Sequence, residues 1–202
     1  MRRTKSFRWK IATLAAAAAL LLGSAAAQTY AIDASSSEAR YRVREQLAGL
    51  SFPNDAVGVT SSVTGNISLG TNSEVLEGSV VTVDVTRLVS DENRRDNFVR
   101  DNLLQTRSHP SVTFVPTLIE GLELPLGTEA AEVAITGELT VRGVTRTVTW
   151  TGVATPDGDV VRLSASTTFT FADFGISKPR VALVLSVADD ITLEIDLTLR
   201  AQ

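Results

Sequence analysis

The chain has no cysteine, and histidine occurs only once, at His109. Without cysteine there is no disulfide framework, no lipid-anchored N-terminal Cys and no thiolate metal site, so stability must come from packing. A lone histidine cannot build a metal centre or a Ser-His-Asp triad. Aromatic residues make up only 5% of the chain, which leaves few large rings to fill a core. No glycine-rich nucleotide loop and no serine in a nucleophile elbow is present. Asp173-Phe174-Gly175 spells the kinase magnesium motif, but the rest of that signature is missing. Asp157-Gly158-Asp159 and Asp189-Asp190 fall short of the ligand count of a calcium loop and are read as turn and strand-edge charge. No enzyme, cofactor or metal site is expected from this inventory.

The longest apolar run, Ile11 to Leu22, is too short to span a bilayer comfortably. Arg2, Arg3, Lys5, Arg8 and Lys10 precede it, and Ser24-Ala25-Ala26-Ala27 follows. A basic head, a short apolar middle and small residues before a cut define an export signal peptide over residues 1–27. Arg2-Arg3 invites a twin-arginine reading, but Lys5-Ser6 stands where that signal requires large apolar residues, which favours the general secretory route. The mature protein, residues 28–202, is then expected in the periplasm or outside the cell, with no transmembrane anchor. Losing the signal removes five cations and no acid, leaving 14 Lys and Arg against 23 Asp and Glu, a net charge of −9. So acidic a chain without a basic stripe is a poor partner for nucleic acid or an anionic membrane surface. Its length suits a single domain with one core.

What is present is alternation. In the stretch Ala131 to Thr151, a two-residue turn at Arg142-Gly143 sets Val141 against Val144, Leu139 against Arg146, Gly137 against Val148 and Ile135 against Trp150. The other face pairs Thr140 with Thr145, Glu138 with Thr147 and Thr136 with Thr149. Turn chemistry and a period of two agree on one register, which a helix cannot satisfy. Similar alternation runs through Ala39 to Gln46, Val57 to Leu69, Val75 to Leu88, Val112 to Leu118, Val161 to Phe171 and Ile191 to Leu199. Arg40, Arg42 and Arg44 form a solvated face opposite Ala39, Tyr41 and Val43. The one helix spans about residues 91–104, capped by Ser90 or Asp91, with Asp91/Arg95 and Asp96/Arg100 as ion pairs one turn apart. Pro110 ends that region by holding His109 extended.

The runs SHPSVTF, GELTVRGVTRTVTW and FADFGISKP resemble the YceI-like family of periplasmic lipid- and polyisoprenoid-binding proteins, over roughly Tyr30 to the C-terminus. The resemblance implies a mainly β fold: a lipocalin-like antiparallel β-barrel of about eight strands with the helix near its mouth. It also implies a long apolar ligand inside, a bend near Phe174 and, as a further expectation, a homodimer. The segment EQLAGLSFPNDAVGVTSSVTG departs from the His- and Gly-containing pattern of many members.

Strands with one apolar and one polar face must either close into a barrel or stack as a sandwich. Strands of about ten to thirteen residues and small inward side chains favour a closed barrel with room for one slim ligand. Such a protein is a carrier for a long-chain amphiphile, whether polyisoprenoid, quinone or fatty acyl compound. The second reading is a ligand-free β-sandwich acting as an envelope interaction module. Ligand contacts, in the lumen or at its rim, are expected from the rings of Phe98, Phe114, Trp150, Phe169 and Phe174. Polar contacts are expected from Arg146, His109 and Arg95. Arg146 either meets a head group at the rim or extends past the rim into water.

Overall fold

The computed structural model describes residues 27–182 and 184–202. The expected export signal lies outside them, apart from Ala27. Ten strand segments form one antiparallel sheet: β1 (Gln28–Ile32), β2 (Glu38–Leu47), β3 (Asn54–Thr60), β4 (Val63–Leu69), β5 (Val80–Asp84), β6 (Ser111–Glu120), β7 (Ala131–Val141), β8 (Val144–Asp157), β9 (Val160–Thr170) and β10 (Val184–Ala201). The ladder runs β1-β4-β5-β6-β7-β8-β9-β10, and β1 pairs again with β10 to shut the ring. That closure excludes the sandwich.

Eight staves account for the ten segments. β10 is long enough to pair with β1 through Leu199–Ala201 and with β2 from Val184 to Asp196. β1 and β2 are therefore one stave broken by a tight turn at Ala34–Ser36, where Asp33 accepts the Ser35 N–H. β3 and β4 follow each other across Ser61-Ser62 and pair with β2 and β1 in turn. Above Ser62 the wall between β3 and β6 is completed by residues 85–110. Val59 bridges to Val89 there, and the helical segment fills the gap.

The central hairpin has the register that alternation predicts, from Val141↔Val144 to Ile135↔Trp150. Arg142 and Gly143 both have positive φ, 52° and 74°, the requirement of a tight two-residue hairpin turn. On its outer face Thr136 bonds Thr149 and Thr140 bonds Thr145, each at 2.8 Å, and Thr147 donates to Glu138 at 2.6 Å. The arginine row is not merely solvated. Arg40 bonds Glu194, Glu38 and Asp196, Arg42 bonds Glu194 and Asp55, and Arg44 bonds Asp55, so that the outside of β10-β2-β3 carries an ionic ladder.

Two expectations need correction. Alternation from Val75 to Leu88 does not make one long strand: β5 covers only Val80–Asp84, because Gly78 at φ 88° turns the chain before it and a 3-10 turn at Val85–Arg87 follows. The helix starts later than expected. Glu92 is its N-cap, α1 spans Asn93–Phe98, and the chain continues as a wider π turn over Val99–Leu104 that Gln105 ends at φ 52°. Arg95 pairs with Asp91 as expected, but Asp96 does not meet Arg100. Asp96 is buried and accepts both the N–H and the hydroxyl of Ser90, while Arg100 donates to the Leu88 carbonyl and to Asn97.

Candidate functional site

Alternation fixes which side chains reach the interior. Residues 39, 41, 43 and 45 of β2, 139 and 141 of β7, and 191, 193 and 195 of β10 all face inward. At the end of the barrel away from the helix the interior is solid. Tyr30, Leu69, Val133, Ile135, Leu163 and Leu199 pack there, all buried and all outside the lining of the cavity at the other end. Towards the helix a cavity of about 640 Å³ remains. Its size is typical of a small-molecule site. Phe114 and Trp150 meet edge to face, ring centres 5.9 Å apart, on its wall. Gly137 makes that placement feasible, since a β-carbon there would lie 2.8 Å from the Phe114 ring. Val99, Leu103 and Leu104 of the helical segment border the cavity from above. The turn of the central hairpin is tied to that segment by Arg142, which donates to the Leu103 carbonyl at 3.0 Å.

One side of the mouth is polar. Glu45 continues the inward face of β2 and is buried, with 8% of its side chain exposed. Arg95 reaches across from α1 and donates to it at 2.8 Å, while also bonding Asp91. Burial works against the Arg95 charge, but the bond to Asp91 and the attraction of Glu45 outweigh it and hold the guanidinium above its usual value. Tyr41 also borders the cavity, and burial pushes its hydroxyl up to about 12, so it stays protonated. The Trp150 indole N–H is buried and has no hydrogen-bond partner among the described residues.

Of the residues singled out from sequence, Arg95, Phe98, Phe114, Trp150 and Phe169 all border this cavity. Three do not. Phe174 is buried behind Phe169, centroids 4.6 Å apart, in the 3-10 turn Phe171–Phe174; Phe171, one turn earlier, faces the cavity instead. His109 stands outside the lumen against the hairpin turn, with Cε1 3.3 Å from where a Gly143 β-carbon would be. Arg146 is exposed although it pairs with buried Leu139. The reason is that β8 and β9 pair only from Thr151↔Ser166 towards the far end. Above that point they part, and a polar hollow of about 440 Å³, lined by Arg146, Thr149, Ser166, Thr168 and Asp173, opens in the wall. Asp173 is held below the ordinary carboxylate range by the Thr170 N–H and hydroxyl and, to a lesser degree, by Arg146.

Sequence reasoning passed over Glu45 and Tyr41. The available signal was a carboxylate continuing the apolar face of a strand at period two, since a buried charge is more informative than an exposed one. Among the described residues no group of three or more His, Cys, Asp or Glu is placed to hold a metal ion. No helix among them is long and apolar enough to cross a membrane.

A closed eight-stave antiparallel barrel with an apolar pocket at one end and a helix across its mouth defines the class of fold. The chain belongs to the YceI-like domain family, whose description matches residues 30–199. It is 30% identical over 197 residues to a UPF0312 protein of Pseudomonas putida, covering 93% of each chain. It is 28% identical over 138 residues to Protein YceI of Escherichia coli O6:H1, covering 68% of this chain and 67% of that one. Among solved structures, a polyisoprenoid binding domain from Saccharophagus degradans superimposes with a TM-score of 0.67 at 14% identity, over 86% of this chain and 98% of that one. Burkholderia cenocepacia BcnA gives 0.63 at 18% identity, over 83% and 98%. At these identities the superpositions speak for the fold.

Proposed function

We propose that this protein is an exported carrier that holds a long-chain amphiphile, such as a polyisoprenoid, quinone or fatty acyl compound, with its chain in the cavity and its polar end at the mouth. The carrying observation is the cavity of about 640 Å³, walled almost entirely by apolar side chains inside an otherwise packed barrel. A void of that kind forfeits dispersion contacts that a ligand restores. Each buried methylene contributes about 0.8 kcal/mol, so affinity grows with chain length until the pocket is full. The packed far end sets that limit. Family membership and the shared fold of the Saccharophagus degradans polyisoprenoid binding domain support a lipid as cargo. The basic-apolar-small pattern of the first 27 residues supports export to the periplasm or beyond.

The test is mass spectrometry of organic extracts of protein purified from its native host. A stoichiometric long-chain compound is expected. Ligand-free protein whose melting temperature does not respond to prenyl or acyl lipids would turn the reading towards an interaction module.

A further inference from the structure

Resting on the carrier reading, we infer that the Glu45–Arg95 pair makes the site selective for amphiphiles with an uncharged head group, against anionic ones such as carboxylates and diphosphates. The charge of Arg95 is already balanced within the protein. Among the arginines that border the cavity in the described residues, Arg95 is the most buried, and its two terminal nitrogens are engaged, one by Glu45 and the other by Asp91 and the Ser90 hydroxyl. An anion that approaches Arg95 meets a guanidinium whose charge two carboxylates already balance, and displacing Glu45 leaves a charge stranded in an apolar wall. Of the other two arginines that border the cavity, Arg40 is taken up by Glu38, Glu194 and Asp196, and Arg94 is exposed at the rim, where solvent and salt weaken its pull. Glu45, Asp91, Glu92 and Glu194 against Arg40, Arg94 and Arg95 leave the cavity lining with one excess negative charge. Neutral groups meet no such opposition. The Tyr41 hydroxyl, kept protonated by burial, can donate to a carbonyl or hydroxyl oxygen, and Glu45 retains a second oxygen able to accept.

The test compares two ligands with the same C20 chain, geranylgeraniol and geranylgeranoic acid, on the delipidated mature protein, residues 28–202, in which Trp150 is the one tryptophan, at pH 8, followed by Trp150 fluorescence and calorimetry. The alcohol is expected to bind at least tenfold more tightly than the acid. Glu45→Gln keeps the size and frees Arg95 for an incoming carboxylate, so the preference should shrink or reverse in that variant. Equal affinities in the unaltered protein, or tighter binding of the acid, overturn the selectivity while leaving the carrier reading intact. If neither compound binds, the carrier reading falls and the selectivity falls with it. The wild-type ratio alone can overturn the selectivity, even where Glu45→Gln folds poorly. In a folded variant, a preference for the alcohol that stays unchanged would show that Glu45 is not its source.

Discussion

The ring of Tyr41 lies over Gly58 on the inner face of the β2–β3 pair. The two residues are register partners, and a β-carbon on Gly58 would fall 2.2 Å from Tyr41 Cε1. Glycine here is a space for a ring. Gly58→Ala should therefore push Tyr41 off its position and destabilise the protein by about 1–3 kcal/mol, the usual cost of overpacking. Urea unfolding measures this directly. Tyr41→Leu combined with Gly58→Ala should cost clearly less than the two single changes added together. Strict additivity would show that the ring contact is not what excludes alanine.

Filling the cavity should separate binding from folding. Ala39 sits on the inward face of β2, between Ile195 and Thr60, and borders the void. Ala39→Phe has empty space to enter, so its unfolding midpoint should move little compared with a like change in a packed core. Affinity for geranylgeraniol, read from Trp150 emission, should fall at least tenfold. Undiminished affinity would place the chain-binding volume elsewhere.

Most of the wall was legible in the sequence because a half-buried strand repeats its demand every second residue. The hairpin around Arg142-Gly143 shows this best: turn chemistry and two opposed faces allow a single register, which is the register observed. The cavity wall was legible to the same extent, since Phe114, Trp150 and Phe169 lie on apolar faces whose direction alternation fixes. What alternation does not encode is where neighbouring strands part. Arg146 has the right parity to face inward beside Leu139, yet β8 leaves β9 at Thr151 and the arginine ends in a polar hollow. The far end of the interior being packed, while the helix end is open, depends on how side chains from eight staves add up, and no single strand carries that sum. The Glu45–Arg95 contact joins residues 50 positions apart, through a helix whose docking no local pattern specifies.

The outer ionic ladder sets an expected acid response. Glu194 is lowered from its ordinary 4.5 by its bond from Arg42 and the attraction of that charge, then by Arg40. Asp196 is lowered from 3.8 by the Ser164 hydroxyl and then by Arg40. Carboxylates depressed in the folded state stabilise it fully above their unfolded values, and that contribution is lost as pH falls through the folded ones. The unfolding midpoint should thus hold from neutral pH to about 5 and decline below about 4. Glu194→Gln should lower stability at pH 7 and make the decline below pH 4 shallower than in the unaltered protein, as measured by urea unfolding across pH. Parallel curves for the two proteins would rule the ladder out as a source of acid sensitivity.

Asp96 provides the anchor that holds the helix over the mouth. Its carboxylate accepts the Ser90 N–H at 2.8 Å and the Ser90 hydroxyl at 2.6 Å, and only 5% of the residue is exposed. The loop entering the helix is thereby bonded to the helix's own first turn. Asp96→Ala strands the Ser90 N–H, a loss worth about 1–3 kcal/mol. Hydrogen exchange should quicken across residues 93–104, while the β7–β8 hairpin, whose ladder does not involve Asp96, should keep its protection relative to global stability. Asp96→Asn keeps one acceptor oxygen and should lie between the two proteins in both measures. Because Arg95 is carried on that same turn, Asp96→Ala should also weaken binding of geranylgeraniol by loosening the mouth, without altering any residue that faces the cavity. Exchange that speeds up uniformly over the barrel, instead of over the helix first, would mean that Asp96 supports the whole fold and does not anchor a separately opening segment.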